Sequence, residues 1–231
     1  MHMKLTARLK TIADLVPKGQ NVADIGTDHA YLPVYLIEND IAKKVIAADI
    51  NKGPLQNAEK TIKTYKRENF IETRLGSGLT PIKQSEVQTV IIAGMGGLLI
   101  RDILVESLDV VKTVETLILQ PMVAQDELRK WLCENGFKID NEKLAKEGNK
   151  LYEILVVTKG KMEIKDDIYF EIGQKMIENK EPYLSEFIEG KIKKYTEILK
   201  TVESQNTVKA KEKLLECKEK LRKLKEVKKC L

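Results

Sequence analysis

Hydrophobic and polar positions follow two patterns in the first 160 residues. Short runs of Val, Ile, Leu and Ala predict buried strands, and apolar residues three or four positions apart predict amphipathic helices between them. The predicted strands cover 21–25, 44–48, 71–75, 87–93, 116–120, 137–146 and 151–159. The predicted helices cover 4–15, 30–39, 52–68, 98–107 and 123–135. Strands that alternate with helices indicate a parallel sheet covered on both faces.

The last two predicted strands break this alternation. Only the turn Glu147-Gly148-Asn149 joins them, so they are expected to form an antiparallel hairpin. The predicted fold class is therefore α/β, with a mostly parallel seven-stranded sheet that an antiparallel hairpin closes. This arrangement is typical of Rossmann-like methyltransferases.

After Lys159 the pattern is helical only. In two of the predicted helices the apolar positions recur at steps of three and four, which is the seam spacing of a coiled coil. A short break at Ser204-Gln205-Asn206-Thr207 predicts that these two helices fold back as an antiparallel pair. We therefore expect two domains, 1–160 and 161–231, the second a small all-helical coiled coil. Its predicted helices cover 169–180, 183–203 and 207–229.

The segment 21–33 carries the strongest ligand-binding pattern. Its apolar run ends at Gly26, and the polar cluster Thr27-Asp28-His29 leads into a helix. A strand, a glycine turn and a helix hold a ligand at the carboxyl end of the strand, and glycine lets the backbone approach that ligand closely. Asp49 ends the next predicted strand, where an acidic residue is placed to accept hydrogen bonds from ribose hydroxyls.

The charges of this turn indicate which nucleoside it suits. Asp28 stands where the second glycine of a Gly-x-Gly-x-x-Gly loop would fall, so the loop lacks the cradle that holds a pyrophosphate. The carboxylates of Asp24 and Asp28 repel phosphate and attract an ammonium or sulfonium group. The pocket therefore suits S-adenosylmethionine better than NAD, which argues against an NAD-dependent oxidoreductase. The alternative is a structural turn that binds no ligand.

Composition sets limits on the class of protein. The chain has 231 residues, of which 42% are hydrophobic and 32% charged, enough for a sizeable core. No apolar run reaches the roughly 18 residues that span a membrane, and the N-terminus lacks the apolar stretch of a signal peptide. The three cysteines, Cys133, Cys217 and Cys230, match no disulfide or zinc spacing. We expect a cytoplasmic monomer without a metal.

The net charge of +5 is unevenly distributed. Residues 207–231 carry 10 Lys or Arg against 4 Glu, which indicates an anionic partner at this end of the chain. The alternative is an ordinary solvated Lys/Glu helix. The candidate phosphate contacts are Lys209, Lys211, Lys218, Arg222, Lys225 and Lys229.

Several segments, in order along the chain, together resemble one family. They are Asp-Ile-Gly-Thr-Asp-His-Ala-Tyr-Leu-Pro (24–33), Ala-Asp-Ile-Asn-Lys-Gly-Pro-Leu (48–55), Leu-Gly-Ser-Gly-Leu (75–79), Ala-Gly-Met-Gly-Gly (93–97), Leu-Gln-Pro (119–121) and Leu-Tyr-Glu-Ile-Leu (151–155). The chain resembles the bacterial tRNA (adenine-N1)-methyltransferases that act on adenine 22 of tRNA. The resemblance implies an S-adenosylmethionine-dependent Rossmann-like domain and a coiled-coil domain that helps to hold tRNA.

The resemblance and the turn chemistry together give the expected cofactor-binding residues. Arg8 is placed to approach the cofactor carboxylate. At position 77 the family leads us to expect an acidic residue that bonds the adenine amine, whereas this chain has Ser77, which accepts the same bond without a charge. The full expected set is Arg8, Asp24, Gly26, Thr27, Asp28, Asp49, Ile50, Gly76, Ser77, Gly78, Leu79, Ala93 and Gly94.

The transfer chemistry needs few side chains, because adenine N1 carries an in-plane lone pair and attacks without prior deprotonation. Positioning is the main requirement, together with an acceptor for the N6 amine as the ring becomes positive. The candidates for catalysis are Asp28, His29, Gly94 and Met95, and those for the target base are Tyr31, Met95, Gly96, Gly97 and Pro121. For the glycines the alternative is close packing at a helix start, and for Tyr31 and His29 a structural role.

Other functions stay open at this point. The protein is alternatively a methyltransferase for another RNA base, a protein or a small molecule, or an RNA-binding protein without catalytic activity. The basic helical domain favours RNA over a small molecule, which has little use for it.

Overall fold

The computed structural model describes residues 2–203 and 207–231. The chain divides between Glu163 and Ile164 into two compact units.

Residues 2–163, the described part of the first unit, contain seven strands and six helices. The strands are β1 (Gln20–Ile25), β2 (Ala42–Asp49), β3 (Ile71–Leu75), β4 (Thr89–Met95), β5 (Thr116–Pro121), β6 (Phe137–Glu147) and β7 (Lys150–Lys159). The helices are α1 (Ala7–Asp14), α2 (Tyr31–Glu38), α3 (Lys52–Thr64), α4 (Gly97–Glu106), α5 (Leu108–Val111) and α6 (Gln125–Glu134). Of these elements, only the one-turn helix α5 was not predicted, because four residues are too few to show a helical repeat of apolar positions.

The seven strands form one sheet in the order β3-β2-β1-β4-β5-β7-β6. The first five strands are parallel, and β7 pairs antiparallel with both β5 and β6. The predicted α/β fold class with a closing hairpin is thus confirmed. The chain winds outward from β1 in one direction and from β4 in the other, so the carboxyl ends of β1 and β4 form the topological switch point where such sheets bind ligands.

Successive strand residues face opposite sides of the sheet and enter two separate cores. Val22, Ile91 and Ile118 pack with α1, α2 and α3 on one side, which we call the α1 side. Their neighbours Ala23 and Ile92 pack with α4, α5 and α6 on the other side. This alternation decides which side chains at the strand ends meet α1.

One strand prediction for this unit needs correction. The fourth strand was expected at 87–93 but runs from Thr89 to Met95, with an irregular register between Ala93 and Met95. Asn51 stands at the cap position of α3, yet its side chain makes no cap hydrogen bond. Instead its backbone N–H donates to Oδ1 of Asp49 at 2.7 Å.

The β6–β7 hairpin is fixed to α6 by a buried ion triad. The guanidinium of Arg129 donates to Glu142 at 2.7 Å and to Glu153 at 2.6 Å, and all three residues are buried. Removing one partner of such a group leaves an uncompensated buried charge, which costs about 3–5 kcal/mol. The triad therefore holds the hairpin, including Tyr152 beside Glu153, in a defined place.

In residues 164–203 and 207–231, which the structure describes, the second unit has helices and no strand. It contains α7 (Ile168–Ile172), α8 (Gln174–Glu178), α9 (Leu184–Glu203) and α10 (Val208–Lys229). Ion pairs from Lys228 to Glu189 and from Lys218 to Glu203 show that α9 and α10 run antiparallel. Residues 204–206 of the predicted break lie outside the described residues.

One helix prediction for this unit is wrong. Residues 169–180 were expected to form a single helix, but α7 and α8 are separate helices divided at Gly173. Gly173 has φ of +79°, a left-handed conformation that interrupts helical hydrogen bonding and that glycine adopts without steric cost.

A buried carboxylate joins three helices of this unit. Glu171 of α7 accepts hydrogen bonds from the hydroxyl of Tyr195 in α9 and from Lys220 in α10, the latter at 2.6 Å. Burial alone would raise the pKa of Glu171. Lys191 and the bonds from Lys220 and Tyr195 outweigh burial and lower the pKa to about 2. The carboxylate therefore stays ionised and stabilises the helical unit at neutral pH.

Candidate active site

The carboxyl ends of β1 and β4 border two adjoining cavities of about 340 Å³ and 320 Å³. Gly26, Ala93 and Gly94 line both of them. Each volume lies at the lower end of the range for small-molecule sites. Together they form one cleft at the switch point of the sheet, where the sequence placed the ligand site.

Opposite charges meet in the first cavity. Asp24 at the end of β1 is 7% exposed and bonds the Thr27 side chain. Burial raises the pKa of Asp24 to about 6, although the Thr27 hydrogen bond and the positive charge of Arg8 act in the opposite direction. Arg8 lines the same cavity from α1. A carboxylate and a guanidinium facing one space complement a zwitterion that carries an ammonium and a carboxylate.

The second cavity combines one acidic residue with apolar side chains. Asp49 and the exposed Ile50 lie at the end of β2, and Leu99 and Ile103 of α4 lie on another side. The backbone N–H of Gly76 donates to the Asp49 carbonyl at 3.0 Å, which brings the glycine loop 76–78 to the end of β2. Ser77 and Gly78 line this cavity too, so it suits a ribose next to a flat apolar base.

Two glycines adopt the backbone conformation that this cleft requires. Gly26 has φ of +80°, and a Cβ there would lie 2.3 Å from the terminal methyl of Met95. Gly94 has φ of +78° at the irregular point of β4, where a Cβ would lie 3.6 Å from Arg8 Nη1. Bulges of this kind re-aim the backbone beside active sites. Met95, which lines the second cavity, therefore lies against Gly26, which lines both.

Asp28, His29 and Tyr31 lie together at the rim of the first cavity, where Asp28 and Tyr31 are exposed and His29 is half-buried. His29 Nε2 lies 3.3 Å from Asp28 Oδ2, and the His29 ring stacks on Tyr31 with ring centroids 5.0 Å apart. Tyr31 is 43% exposed, so it is not a core residue. The three side chains therefore place a carboxylate and two stacked rings at the rim of the first cavity.

Some predicted site residues lie elsewhere. The Leu79 side chain is fully buried in the core on the α4 side and does not line either cavity. Gly96, Gly97 and Pro121 line neither cavity. A Cβ on Gly97 would lie 2.3 Å from the Ala124 carbonyl oxygen, so this glycine serves the close packing that the sequence left as its alternative role.

Other contributors were missed by the sequence reasoning. Leu99, Ile103 and Asn51 line the second cavity, but their sequence pattern is that of an ordinary helix face or cap. Gln120 bonds Arg8 and the Gly94 backbone. One indication of this role was present in the sequence, namely that Gln120 is a polar residue at the last position of the apolar strand predicted at 116–120.

The cationic candidates of the second unit differ in their surroundings. Lys211, Lys218, Arg222, Lys225 and Lys229, which we call the cationic stripe, are exposed and recur at helical steps of seven, four, three and four, so they share one side of α10. Lys209 is exposed on a different side. Arg222 is paired with Glu219 and Glu226, each at 2.6 Å, whereas Lys211, Lys225 and Lys229 form no ion pair with a described residue.

Among residues 2–203 and 207–231 there is no group of three or more His, Cys, Asp or Glu that could hold a metal ion. None of the described helices has both the length and the apolar character that crossing a membrane requires.

The parallel sheet with its closing hairpin and the acidic cleft at its switch point define a Rossmann-like methyltransferase. In agreement, residues 5–155 match the family described as "Methyltransferase domain". The tRNA (adenine(22)-N(1))-methyltransferase of Bacillus subtilis (strain 168) is 40% identical over 159 residues, which cover 69% of this chain and 67% of that protein. The chain belongs to the family of tRNA (adenine(22)-N1)-methyltransferases.

Solved structures extend this similarity to nearly the whole chain. The B. subtilis m1A22 tRNA methyltransferase TrmK has a TM-score of 0.90 at 33% identity and matches 98% of this chain and 99% of its own. A Streptococcus pneumoniae protein described as a tRNA (m1A22) methyltransferase, in complex with S-adenosyl-L-methionine, has a TM-score of 0.83 at 34% identity over 97% and 99%. The helical residues that the sequence match leaves out are therefore included in the structural match.

Proposed function

We propose that the protein transfers the methyl group of S-adenosylmethionine to N1 of adenine 22 in tRNA. The proposal rests on the opposite charges of Asp24 and Arg8, which line one cavity. The adjoining cavity is lined by Asp49 and by apolar side chains. Such a cleft complements a zwitterionic amino acid joined to a nucleoside. Relatives named for this reaction, one of them in complex with S-adenosyl-L-methionine, support it.

The residues of the cleft fit the cofactor in two parts. In the first cavity Asp24 binds the cofactor ammonium and Arg8 its carboxylate. In the second, Asp49 accepts from the ribose hydroxyls, and Ile50 covers the adenine, whose amine bonds Ser77. Gly26, Thr27, Gly76, Gly78, Ala93 and Gly94 complete the proposed cofactor site through their backbones or small side chains.

The protein's own residues then position the target base. S-adenosylmethionine supplies a methyl group on a positively charged sulfur. Because adenine N1 attacks with its lone pair, no general base is required, and the residues act by orientation and by charge. Tyr31 stacks on the base, Met95 covers its face, and Asp28, steadied by His29, or the Gly94 carbonyl accepts from N6. Positive charge on the methylated ring is stabilised by the same acceptor.

The helical unit binds the tRNA in this proposal. The adenine lies within folded tRNA and has to be exposed before N1 is within reach. The cationic stripe of α10 provides phosphate contacts, which position an RNA without reading its sequence. The proposed division of labour is a methyltransferase domain at 1–160 and a tRNA-binding domain at 161–231. We propose that the enzyme acts in the cytoplasm, where its substrate is, as a monomer.

Nucleoside mass spectrometry tests the proposal. Unmodified tRNA with adenine at position 22 is incubated with the enzyme and S-adenosylmethionine, then digested and analysed for 1-methyladenosine. A transcript with guanine at position 22 is the matched control. We expect 1-methyladenosine only from the adenine 22 transcript. Methylation of both transcripts, or of neither, would contradict the proposed substrate.

Asp28→Asn is expected to lower kcat by roughly 10²-fold, because it removes one preorganised electrostatic group from the developing charge. The change keeps the size of the side chain and one acceptor oxygen, so binding of cofactor and tRNA should change little. Asp109→Asn, at an exposed aspartate of α5, is the control. Single-turnover rates at saturating cofactor are compared with calorimetric affinities. Weaker cofactor binding at a normal rate would assign Asp28 to binding and leave Gly94 as the N6 acceptor.

A further inference from the structure

We propose that Gln120 is a positioning residue that holds Arg8 in place for the cofactor carboxylate without neutralising its charge. The inference rests on the proposed function and deepens it. Gln120 occupies the centre of the segment Leu-Gln-Pro (119–121), to which the cofactor chemistry gave no role.

The side-chain oxygen of Gln120 connects two parts of the cleft. Gln120 is 0% exposed at the end of β5. Its Oε1 accepts from Arg8 Nη1 at 2.7 Å and from the backbone N–H of Gly94 at 3.1 Å. Because two donors point at one oxygen, that atom is fixed both to α1 and to the end of β4.

The other end of the amide determines its orientation. Gln120 Nε2 donates to the Pro121 carbonyl at 3.2 Å and lies 3.3 Å from Met122 Sδ. An inverted amide would direct its NH₂ group at the donors of Arg8 and Gly94 and its oxygen at a carbonyl. A buried polar group without a partner costs about 1–3 kcal/mol, so one orientation is strongly favoured.

Arg8 is held by neutral groups around its guanidinium. Besides Gln120, the ring of Tyr152 lies 5.5 Å from the Arg8 Cζ atom. Glu147 accepts a hydrogen bond from the Arg8 backbone N–H at 2.7 Å, and it attracts the guanidinium only at longer range. No carboxylate of a described residue lies within ion-pair distance of the guanidinium. Its positive charge therefore remains available to an anionic group in the first cavity.

The strand alternation explains why Gln120 meets Arg8. Ile118 packs on the α1 side of the sheet, and Gln120, two residues later, faces the same side. Asp24 stands in the same relation to Val22 on β1. At the strand ends, polar side chains thus replace the apolar ones of the core. Asp24 binds the cofactor ammonium, and the Gln120 amide positions Arg8 for the cofactor carboxylate.

Two ligands that differ by one group separate this role from a general loss of stability. S-adenosylmethionine and its decarboxylated form share the nucleoside, the sulfonium and the ammonium, and only the first has a carboxylate. The affinities of both are measured by calorimetry for the native enzyme, Gln120→Met and Gln120→Glu. The matched control is Gln88→Met, since Gln88 Oε1 also accepts from a backbone N–H, that of Asn21 at 3.0 Å, at the opposite edge of the sheet.

For Gln120→Met we expect about a 10-fold loss of affinity for S-adenosylmethionine, in the range expected for a bond to a charged group that is no longer well placed. Affinity for the decarboxylated form should stay unchanged. Gln120→Glu keeps the oxygen but pairs with Arg8, so it should show the same selective loss and decides the matter if Gln120→Met does not fold. Gln88→Met should bind both ligands as the native enzyme does.

Equal losses for the two ligands, or native affinity for S-adenosylmethionine in the variants, would overturn the role of Gln120 and leave the proposed function standing. A native enzyme that binds no S-adenosylmethionine would overturn the proposed function, and this inference with it. Failure of one is therefore distinguishable from failure of the other.

Discussion

Asp24→Asn is expected to weaken S-adenosylmethionine binding by about 10²- to 10³-fold, because truncating one partner of a buried charge pair costs about 2–5 kcal/mol. The buried carboxylate faces the cleft together with Arg8, and an amide of the same shape cannot balance an ammonium group. Calorimetry at pH 8 measures this loss. Asp14→Asn, at an exposed residue of α1 paired with Lys10, is the control and should bind normally.

The same substitution is expected to make the protein more stable above pH 6. The pKa of Asp24 is about 6 in the folded protein against an ordinary value of 3.8, so the folded state holds the proton more tightly than the unfolded chain. Stability is therefore lost as the pH rises from about 3.8 to about 6, by about 3 kcal/mol in total. Asparagine removes this cost because it cannot ionise.

Thermal unfolding of the native protein and of Asp24→Asn at several pH values measures the difference. The gap between the two should be small near pH 4 and largest above pH 6. Native affinity for the cofactor should fall as the pH drops below about 6, since a protonated Asp24 no longer balances the ammonium. If the variant is less stable than the native protein at pH 8, the ionised Asp24 stabilises the folded state, and the expectation is wrong.

Neutralising the cationic stripe is expected to weaken tRNA binding by about 10²- to 10³-fold at low salt. The variant replaces Lys211, Lys218, Lys225 and Lys229 by glutamine. Arg222 is left unchanged because two carboxylates, those of Glu219 and Glu226, each lie 2.6 Å from it, whereas Lys218 has one longer contact, with Glu203 at 3.9 Å. Each lost phosphate contact also lowers the slope of log affinity against log salt by about one. Cofactor affinity should not change, since every residue of the cleft lies in the first unit.

The matched control replaces four exposed lysines of the first unit that have no ion pair with a described residue, namely Lys18, Lys43, Lys44 and Lys63. They lie near the starts of strands or the end of a crossover helix, at the edge of the sheet opposite to the cleft. The net charge change is the same, so a difference between the two variants reports position. Equal losses would show that net charge, and not the stripe, governs the binding of tRNA.

The sequence by itself determined the elements and the class of ligand. Strand and helix periods are local, so the α/β order, the hairpin and the long helices could be read from apolar spacing. Asp24, Gly26 and Asp49 could be placed as well, because parallel strands bring their carboxyl ends to one edge of the sheet. The break at Gly173 was missed, since the surrounding residues keep a helical pattern and a glycine within it is tolerated.

Only the tertiary structure decided which side chains meet. Arg8 and Gln120 lie 112 positions apart, and their contact depends on how α1 packs on the face of the sheet that Gln120 shares. The same holds for Leu79, whose motif suggested the cofactor but whose side chain enters the core. Periodicity reports which face of an element is apolar, whereas a contact between elements depends on their packing. For this reason the cleft could be predicted from the sequence, whereas the contact between Gln120 and Arg8 was revealed only by the packing of α1 on the sheet.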